Sequence, residues 1–405
     1  MKYIVLIADG MAGWQLKELE GKTTLETANT PNMNRLCANG IIGLVKTTPD
    51  GFPPGSDVTN MALMGYEPEK YYTGRAPLEA LSMGIDLKEN DVAFRCNLVT
   101  LLHYEQRVYM HDYSAGHIST EEAKILIEDM NNFFNFQDIK FFPGISYRHI
   151  CVFYNCPEEV ANEKLYPPHD IIGKPIIEYL PKNWENNIIV WLITQAQTFL
   201  NQHEINKKRI NEGKLPANSI WLWGQGKKPE LEKFEKKFGL KGAVISAVDL
   251  IRGIGVSAGM EIINVKGATG YLDTNYEGKA QSAINALNKN DFVYVHVEAS
   301  DEAGHEGSIE KKVKAIEFFD KRIVGVILEN LKEKNFPYKI LITADHPTPI
   351  EKRTHTNEPV PFIIYDSRKK FSISKNFNFS EKIAKESGIF YNSGVELIKN
   401  FLKEE

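Results

Sequence analysis

Short apolar runs alternate along the chain with amphipathic and polar segments. Tyr3 to Ala8 is an unbroken apolar run, which is typical of a parallel strand covered on both faces. Runs of the same kind predict further strands over 243–248, 292–297, 340–342 and 360–365. These strands are expected to form the centre of the fold.

Helical signals fill the segments between the runs. Thr30 and Pro31 begin one predicted helix and Gly40 ends it. Apolar residues at spacings of three and four from Ile309 to Leu331 predict one long amphipathic helix that packs on the sheet. Strands that alternate with helices predict an α/β fold: a three-layer α/β/α core with a mostly parallel sheet.

The pattern changes between residues 95 and 215. Six of the ten histidines fall here, together with shorter strands and repeated turn signals. We interpret this segment as a smaller α+β domain inserted into the first one. The predicted organisation is therefore a core of residues 1–94 and 216–405 and an insert of residues 95–215.

Composition narrows the classes of function. A net charge of −5 argues against a nucleic-acid surface, and no apolar run approaches the roughly 20 residues that span a bilayer. The apolar run at the amino terminus is too short for a signal peptide, and the four cysteines show no metal-type pairing. We expect a cytoplasmic protein with reduced thiols; whether identical chains associate is left open.

Acidic residues follow four of the predicted strands. They are Asp9, Asp249, Asp301 and Asp345, and His346 comes directly after the last. Ligands of open α/β sheets collect beyond the carboxyl ends of the strands, and carboxylate with imidazole suits zinc, manganese or iron. These positions favour a metal site, although a surface turn is the alternative for the stretch around His346 taken alone.

Three more histidines and a serine extend the candidate set. His305 lies four residues after Asp301, which places both on one face of a helical turn, and His355 follows His346 by nine residues. His296 lies inside a predicted strand and is interpreted as a core or supporting residue. Ser56 ends a Pro-Pro-Gly turn before a predicted helix, where it is either an N-cap or a nucleophile that receives a phosphoryl group.

Five ordered motifs resemble the cofactor-independent phosphoglycerate mutases, in particular their shorter, archaeal-type branch within the alkaline phosphatase superfamily. The resemblance covers nearly the whole chain. The motifs are Asp9-Gly10, Gly55-Ser56-Asp57-Val58, Asp301-x-x-Gly304-His305, Ala344-Asp345-His346 and His355-Thr356-x-x-Pro359-Val360-Pro361.

The resemblance implies an isomerase of glycolysis and gluconeogenesis that interconverts 3-phosphoglycerate and 2-phosphoglycerate without bisphosphoglycerate. It implies two divalent ions, usually manganese and sometimes zinc or magnesium. Asp301, His305 and His355 would hold one ion. Asp9, Ser56, Asp345 and His346 would hold the other. Ser56 would attack the phosphate and form a phosphoserine.

The inserted domain would then act as a cap that excludes water and binds a small phosphorylated hydroxy acid. Carboxylate and phosphate groups need cationic partners. The candidates on the insert are His117, Arg148 and His149, and those on the core are Arg75, Arg252 and Lys279. Asp170, also on the insert, is a candidate acid or base for the substrate hydroxyls. For each residue taken singly, a structural ion pair is the alternative.

One segment departs from the family pattern. Trp223 stands where archaeal-type members tend to carry an arginine. The change bears on the substrate more than on phosphoryl transfer. A related phosphotransferase acting on another hydroxy acid, such as a homoserine kinase, is therefore the main alternative. A phosphatase of the same superfamily and a metal-binding protein without turnover are separate alternatives, and the presence of Ser56 argues against the last.

Overall fold

The computed structural model describes residues 1–369 and 378–403. The chain forms two compact units. The first contains Met1–Tyr72 and the chain from Glu230 onward, and the second is Thr73–Pro229. Within the described residues, no helix has the length and apolar character that crossing a membrane requires.

The described residues contain thirteen β-strands. They are β1 Lys2–Ala8, β2 Ile41–Val45, β3 Val92–Tyr104, β4 Arg107–Asp112, β5 Ile139–Phe142, β6 Arg148–Phe153, β7 Ser219–Lys227, β8 Gly242–Ile245, β9 Glu261–Ile262, β10 Phe292–Val297, β11 Tyr338–Thr343, β12 Val360–Asp366 and β13 Phe390–Tyr391.

The same part of the chain contains seventeen α-helices. They are α1 Thr24–Thr27, α2 Pro31–Ala38, α3 Ser56–Leu63, α4 Pro68–Tyr71, α5 Arg75–Ser82, α6 Thr120–Phe134, α7 Glu158–Ala161, α8 Ile188–Gln202, α9 Glu204–Asn211, α10 Phe234–Phe238, α11 Asp249–Ser257, α12 Tyr276–Ala286, α13 Ala299–Glu306, α14 Ile309–Phe318, α15 Gly325–Leu331, α16 Glu381–Glu386 and α17 Gly394–Phe401.

The first unit is built on an eight-stranded sheet in the order β13-β2-β12-β11-β1-β10-β8-β9. Strand β1 pairs in parallel with β10 on one side and with β11 on the other. Among the strands that the structure describes in this sheet, only β12 runs antiparallel to its neighbours, β11 and β2. The α/β class with a mostly parallel sheet is confirmed, and the central strands are apolar because both of their faces are buried.

The predicted long helix is present but is not uniformly α-helical. Between α14 and α15 the backbone forms a π-helical segment, Phe319–Val324, with helical dihedral angles at both joints. Its inward residues, including Phe319 and Ile323, are buried as the spacing predicts. The apolar spacing identifies the buried face of the helix. It does not reveal the change from i→i+4 to i→i+5 hydrogen bonds that defines a π-helical segment, because that change depends on tertiary packing.

The second unit contains an antiparallel sheet of β4, β3, β6 and β5, with β7 pairing along the other edge of β3. Its limits, residues 73 and 229, differ from the predicted insert of 95–215. The reason is that the predicted boundary at 94/95 cuts through β3. In addition, α5 buries Ala76 and Ala80 against Ala93 of this strand, so the flanking segments belong to the same core.

The four cysteines, Cys37, Cys96, Cys151 and Cys156, are buried and free of disulfides. Burial raises the pKa of the Cys37 thiol to about 12, so this thiol is protonated and unreactive at neutral pH.

Candidate active site

The sheet order brings the motifs together. Strand β1 lies between β10 and β11, and all three are parallel, so their carboxyl ends share one edge of the sheet. Asp9 follows β1, Asp301 lies in the first turn of the helix after β10, and Asp345 follows β11. Residues separated by more than 300 positions therefore meet in one cluster.

Two groups of side chains are arranged so that each could hold a metal ion. Asp9, Asp345 and His346 form the first group. Asp301, His346 and His355 form the second, and within each group the ligand atoms lie within 4.8 Å of one another. His346 belongs to both groups. The sequence analysis assigned it to the Asp9 group alone.

His305 and His355 lie against Asp301. The Nε2 atom of His305 is 3.2 Å from Asp301 Oδ2, and that of His355 is 3.5 Å from Asp301 Oδ1. The two Nε2 atoms are 3.0 Å apart, and each ring nitrogen Nδ1 meets a backbone carbonyl, that of Arg353 for His305 and that of Pro54 for His355. The backbone carbonyls therefore fix the two Nδ1 atoms, and both Nε2 atoms point to the same position beside Asp301.

Gly10 makes this close approach feasible. Its φ angle is +61°, and a Cβ atom at this position would lie 2.6 Å from Asp301 Oδ1 and from Thr348 Oγ1. Any side chain would push apart the loops that carry Asp9 and Asp301. The backbone N–H of Gly10 also donates to Asp345 Oδ1 at 3.1 Å, which links the ends of β1 and β11.

Ser56 is the first residue of α3 and adjoins the cluster. Its Oγ atom is 3.0 Å from His346 Nε2. One helical turn later, Asn60 donates to Asp345 Oδ2 at 2.8 Å and accepts from the Tyr294 hydroxyl at 2.6 Å. Sequence reasoning missed Asn60, although its position four residues after Ser56 places it on the same helical face.

The electrostatics of the cluster suit a cation. Burial, reinforced by the nearby Asp345 and Asp301 carboxylates, raises the pKa of Asp9 well above its usual value. The Asp9 Oδ1 atom is buried and has no hydrogen-bond partner among the described residues. Three buried carboxylates and the nearby imidazoles are a donor set that binds divalent cations, and such an ion would relieve this repulsion.

Comparison with known proteins identifies the family. A sequence model for 2,3-bisphosphoglycerate-independent phosphoglycerate mutase matches residues 37–206. A protein of that name from Methanosarcina barkeri is 53% identical over 403 residues, which cover 100% of both chains. The chain belongs to this family of phosphoglycerate mutases.

Two solved structures have a similar fold. The PH0037 protein from Pyrococcus horikoshii is 30% identical, with a TM-score of 0.82 over 100% of this chain and 98% of that one. The cofactor-independent phosphoglycerate mutase from Thermoplasma acidophilum has a TM-score of 0.65 at 24% identity and covers 98% of both chains, which supports the fold. Phosphoglycerate mutases are isomerases that act on a small phosphorylated substrate.

The structure corrects the expectation for one residue predicted to bind the mutase substrate. Lys279 is fully buried, and its ammonium group donates to Glu298 Oε2 at 2.8 Å and to the backbone carbonyl of His296 at 3.0 Å. Its ammonium group is therefore paired inside the first unit. Arg252 is partly exposed and pairs with Asp249 at 3.3 Å, and neither residue belongs to the two candidate metal groups.

Two candidates from one motif are separated in the second unit. Arg148 and His149 are neighbours in β6, opposite Asn97 and Cys96 respectively, so their side chains point to opposite faces of the sheet. Arg148 is exposed. His149 is buried, accepts the backbone N–H of Gly144 at 3.0 Å, and has a pKa lowered to about 3 by burial. Only Arg148 is accessible to a ligand.

A cluster of aromatic and basic side chains brings other predicted residues together within the second unit. We call it the cation–aromatic cluster. His117 contacts Tyr113 and Tyr147, and Arg148 lies over the Tyr147 ring at 5.6 Å. It consists of Arg95, Tyr113, His117, Tyr147, Arg148, His169 and Trp223. Asp170, the residue after His169, is exposed.

Arg95 is the member that sequence reasoning missed. Its guanidinium lies 4.3 Å from the ring centroid of Trp223, its neighbour across the β3–β7 pair, and its Nε atom is 3.0 Å from Glu79. Arg75 lies 3.8 Å from the same Glu79. Arg75 was expected on the core, but it belongs to the second unit. Strand pairing would have revealed Arg95, but the register of β3 and β7 is not readable from sequence.

Proposed function

We propose that this chain is a 2,3-bisphosphoglycerate-independent phosphoglycerate mutase that interconverts 3-phosphoglycerate and 2-phosphoglycerate. The observation that carries the proposal is the position of Ser56. Its hydroxyl oxygen lies 3.0 Å from His346, beside both groups of metal-ligand side chains and at the amino end of α3. Two relatives that match 100% and 91% of this chain bear the same name.

In this proposal Ser56 is the nucleophile. Its Oγ loses its proton and attacks the phosphorus of 3-phosphoglycerate, the bond from phosphorus to the 3-hydroxyl oxygen breaks, and that oxygen takes up a proton to give glycerate. The retained glycerate turns, and its 2-hydroxyl loses its proton and attacks the phosphorus of the phosphoserine. The bond to Ser56 Oγ breaks, 2-phosphoglycerate forms, and Oγ takes up a proton, which regenerates Ser56. The free N–H groups and the dipole at the start of α3 favour the anionic phosphoryl group.

The proposed metal ligands fall into two sets. They are Asp9, Ser56, Asp345 and His346 for one ion, and Asp301, His305 and His355 for the other. The family resemblance favours manganese, with zinc and magnesium as alternatives, and carboxylate with imidazole is compatible with manganese or zinc. Bound divalent ions would neutralise the transferring phosphoryl oxygens and lower the pKa of the serine hydroxyl. The chain supplies the geometry through Gly10 and Asn60, which tie the loops together.

We assign substrate binding to cations of the second unit, acting as a cap. Arg148 and His117 are exposed members of the cation–aromatic cluster, and Arg95 adds a buried guanidinium. Arginine suits carboxylate and phosphate because its planar group donates two parallel hydrogen bonds. Arg95 stacks on Trp223, so the tryptophan that departs from the family pattern still lies beside a positive charge.

The direct test is an assay of the purified chain with manganese and 3-phosphoglycerate in the absence of bisphosphoglycerate. We expect 2-phosphoglycerate to form, and Ser56→Ala to lower the rate by at least about a thousandfold because the attacking atom is lost. Circular dichroism of the variant controls for folding. Wild-type activity of the Ser56→Ala variant would refute the assignment of Ser56 as the nucleophile.

The same assay separates the alternatives. Release of inorganic phosphate that outpaces isomerisation would identify a phosphatase. Absence of isomerisation together with ATP-dependent phosphorylation of homoserine would identify a kinase for another hydroxy acid. Either result would overturn the proposed reaction while leaving the family assignment intact.

A further inference from the structure

A chain of charged groups runs through the interior of the first unit and ends at Asp9. The Lys279 ammonium donates to Glu298 Oε2 at 2.8 Å, and Glu298 Oε1 lies 3.2 Å from His296 Nδ1. The other ring nitrogen, His296 Nε2, lies 3.1 Å from Asp9 Oδ2. Four ionisable side chains are thus connected in series, and one end of the series is a proposed metal ligand.

All four groups are removed from water. Lys279 and His296 are fully buried, and Glu298 and Asp9 are each 3% exposed. Buried charges are a poor source of stability, because desolvation offsets the attraction and apolar residues of the same volume are often as stable. Packing alone therefore gives no reason for these residue types. A requirement to orient the Asp9 carboxylate does explain them.

Each link of the chain is fixed by further contacts. Glu298 Oε1 also accepts the Ser246 hydroxyl at 3.0 Å and the backbone N–H of Ala247 at 3.1 Å. Lys279 donates in addition to the carbonyl of His296, at the end of β10. The imidazole consequently lies between two carboxylates, with Nδ1 3.2 Å from Glu298 and Nε2 3.1 Å from Asp9. The contact with Asp9 is an ion pair without hydrogen-bond geometry.

These contacts distinguish the two carboxylate oxygens of Asp9. His296 occupies the Oδ2 side, while Oδ1 lies 3.5 Å from His346 Nε2 and has no hydrogen bond within the described part of the chain. Oδ1 is therefore the atom directed toward the group formed with Asp345 and His346. The Ser300 hydroxyl, which donates to the Asp9 carbonyl at 2.5 Å, fixes the backbone on the opposite side.

We propose that Lys279, Glu298 and His296 form a positioning relay that orients the Asp9 carboxylate and presents its Oδ1 atom to a divalent cation. The inference rests on the proposed function only in taking Asp9 as a ligand. The three residues are positioning residues, because none of them contacts the ion or the substrate. Outer partners of metal ligands typically change metal affinity by 10- to 100-fold.

The test measures metal binding without turnover. Chelator-treated protein is titrated with Mn²⁺ alone, and binding is followed by calorimetry and by the electron paramagnetic resonance signal of free Mn²⁺. We expect His296→Leu to weaken one of two sites by about 10- to 100-fold and to leave the other unchanged. Retention of the second site shows that the variant is folded.

Glu298→Gln is the second variant, because it keeps the shape of the side chain and removes only the charge that holds His296 and Lys279. It is expected to weaken the same site. Lys339→Met is the matched control: Lys339, in β11, is another buried lysine of the first unit, but it lies 4.0 Å from Asp366 and donates to the carbonyls of Phe401 and Lys403. The control should bind both ions as the wild type does.

The outcomes separate the relay from the metal centre. Two ions bound with wild-type affinity by both His296→Leu and Glu298→Gln would overturn the relay alone. A wild-type chain that binds no Mn²⁺ would overturn the metal centre and the relay together. Equal weakening by Lys339→Met would also overturn the relay, because the effect would then follow from any loss of a buried charge in the sheet.

Discussion

At the scale of single residues, His346 is the centre of the candidate site. It belongs to both groups of metal-ligand side chains and contacts the Ser56 hydroxyl. Its ring stacks on that of His355, with centroids 3.8 Å apart. Burial lowers the pKa of His346, so its ring tends to stay neutral, which is the form that binds metals.

The division of ligands between two ions makes a prediction for His355. Its ring contacts Asp301 and His305, and among the described residues it is not part of the group formed by Asp9, Asp345 and His346, so His355→Ala should empty one site and spare the other. Metal analysis after dialysis should fall from two ions per chain to one. His103→Ala, a change at an exposed histidine of β3, should keep both. Loss of both ions from His355→Ala would contradict two separable sites.

At the scale of elements, the π segment has a structural role. It places Asp320 so that its carboxylate accepts the backbone N–H of Met33 at 2.7 Å and that of Asn32 at 3.2 Å. These donors belong to the first turn of α2, where the Thr30 side chain makes no capping bond. A residue from a distant helix therefore caps α2 in place of the local threonine that the sequence indicates.

Removing this cap should destabilise the first unit. We expect Asp320→Ala to lower the free energy of unfolding by about 2 kcal/mol, because buried N–H groups lose their acceptors. Chemical denaturation measures the change. Lys321→Ala, a change at the exposed neighbour, is the control and should stay within about 0.5 kcal/mol of the wild type. Equal stability of the two variants would contradict the capping role.

At the scale of the whole molecule, metal binding should be linked to folding. Asp9, Asp301 and Asp345 are buried close together, and the unfolded chain does not preserve this arrangement. Manganese at 100 times its dissociation constant should therefore stabilise the chain by about 2.7 kcal/mol. A melting temperature that rises with manganese and falls with chelator is the expected result. The same melting temperature in both conditions would contradict the metal centre.

Acid should destabilise the second unit through His149. Its pKa is about 3 in the folded chain, because burial disfavours the charged ring, and its ordinary value is 6.5. Between these values the unfolded state binds the extra proton, so this group lowers stability by up to about 1.4 kcal/mol for each pH unit below 6.5. His149→Asn keeps an acceptor for Gly144 and should show a shallower loss in denaturation between pH 6.5 and 4.5. A slope equal to that of the wild type would contradict this account.

The sequence by itself determined the local features of the chain. The apolar runs gave β1, β10, β11 and β12 with small errors at the ends. Ser56 lies at the start of its helix as predicted, but the N-cap interpretation is wrong, because Gly55 is the N-cap and Ser56 is the first helical residue. These features are readable because periodicity, turns and caps depend on neighbouring residues. The order of motifs was also sufficient to identify the family, since that resemblance needs no coordinates.

Only the tertiary structure decided which side chains meet. It placed His346 in both groups, buried Lys279 against Glu298, turned His149 away from Arg148, and brought Arg95 onto Trp223. Strand register and burial determine these contacts, and both arise from packing between segments that are far apart in the chain. A charged residue in a sequence shows what it can bind, whereas its surroundings in the fold determine which partner it has.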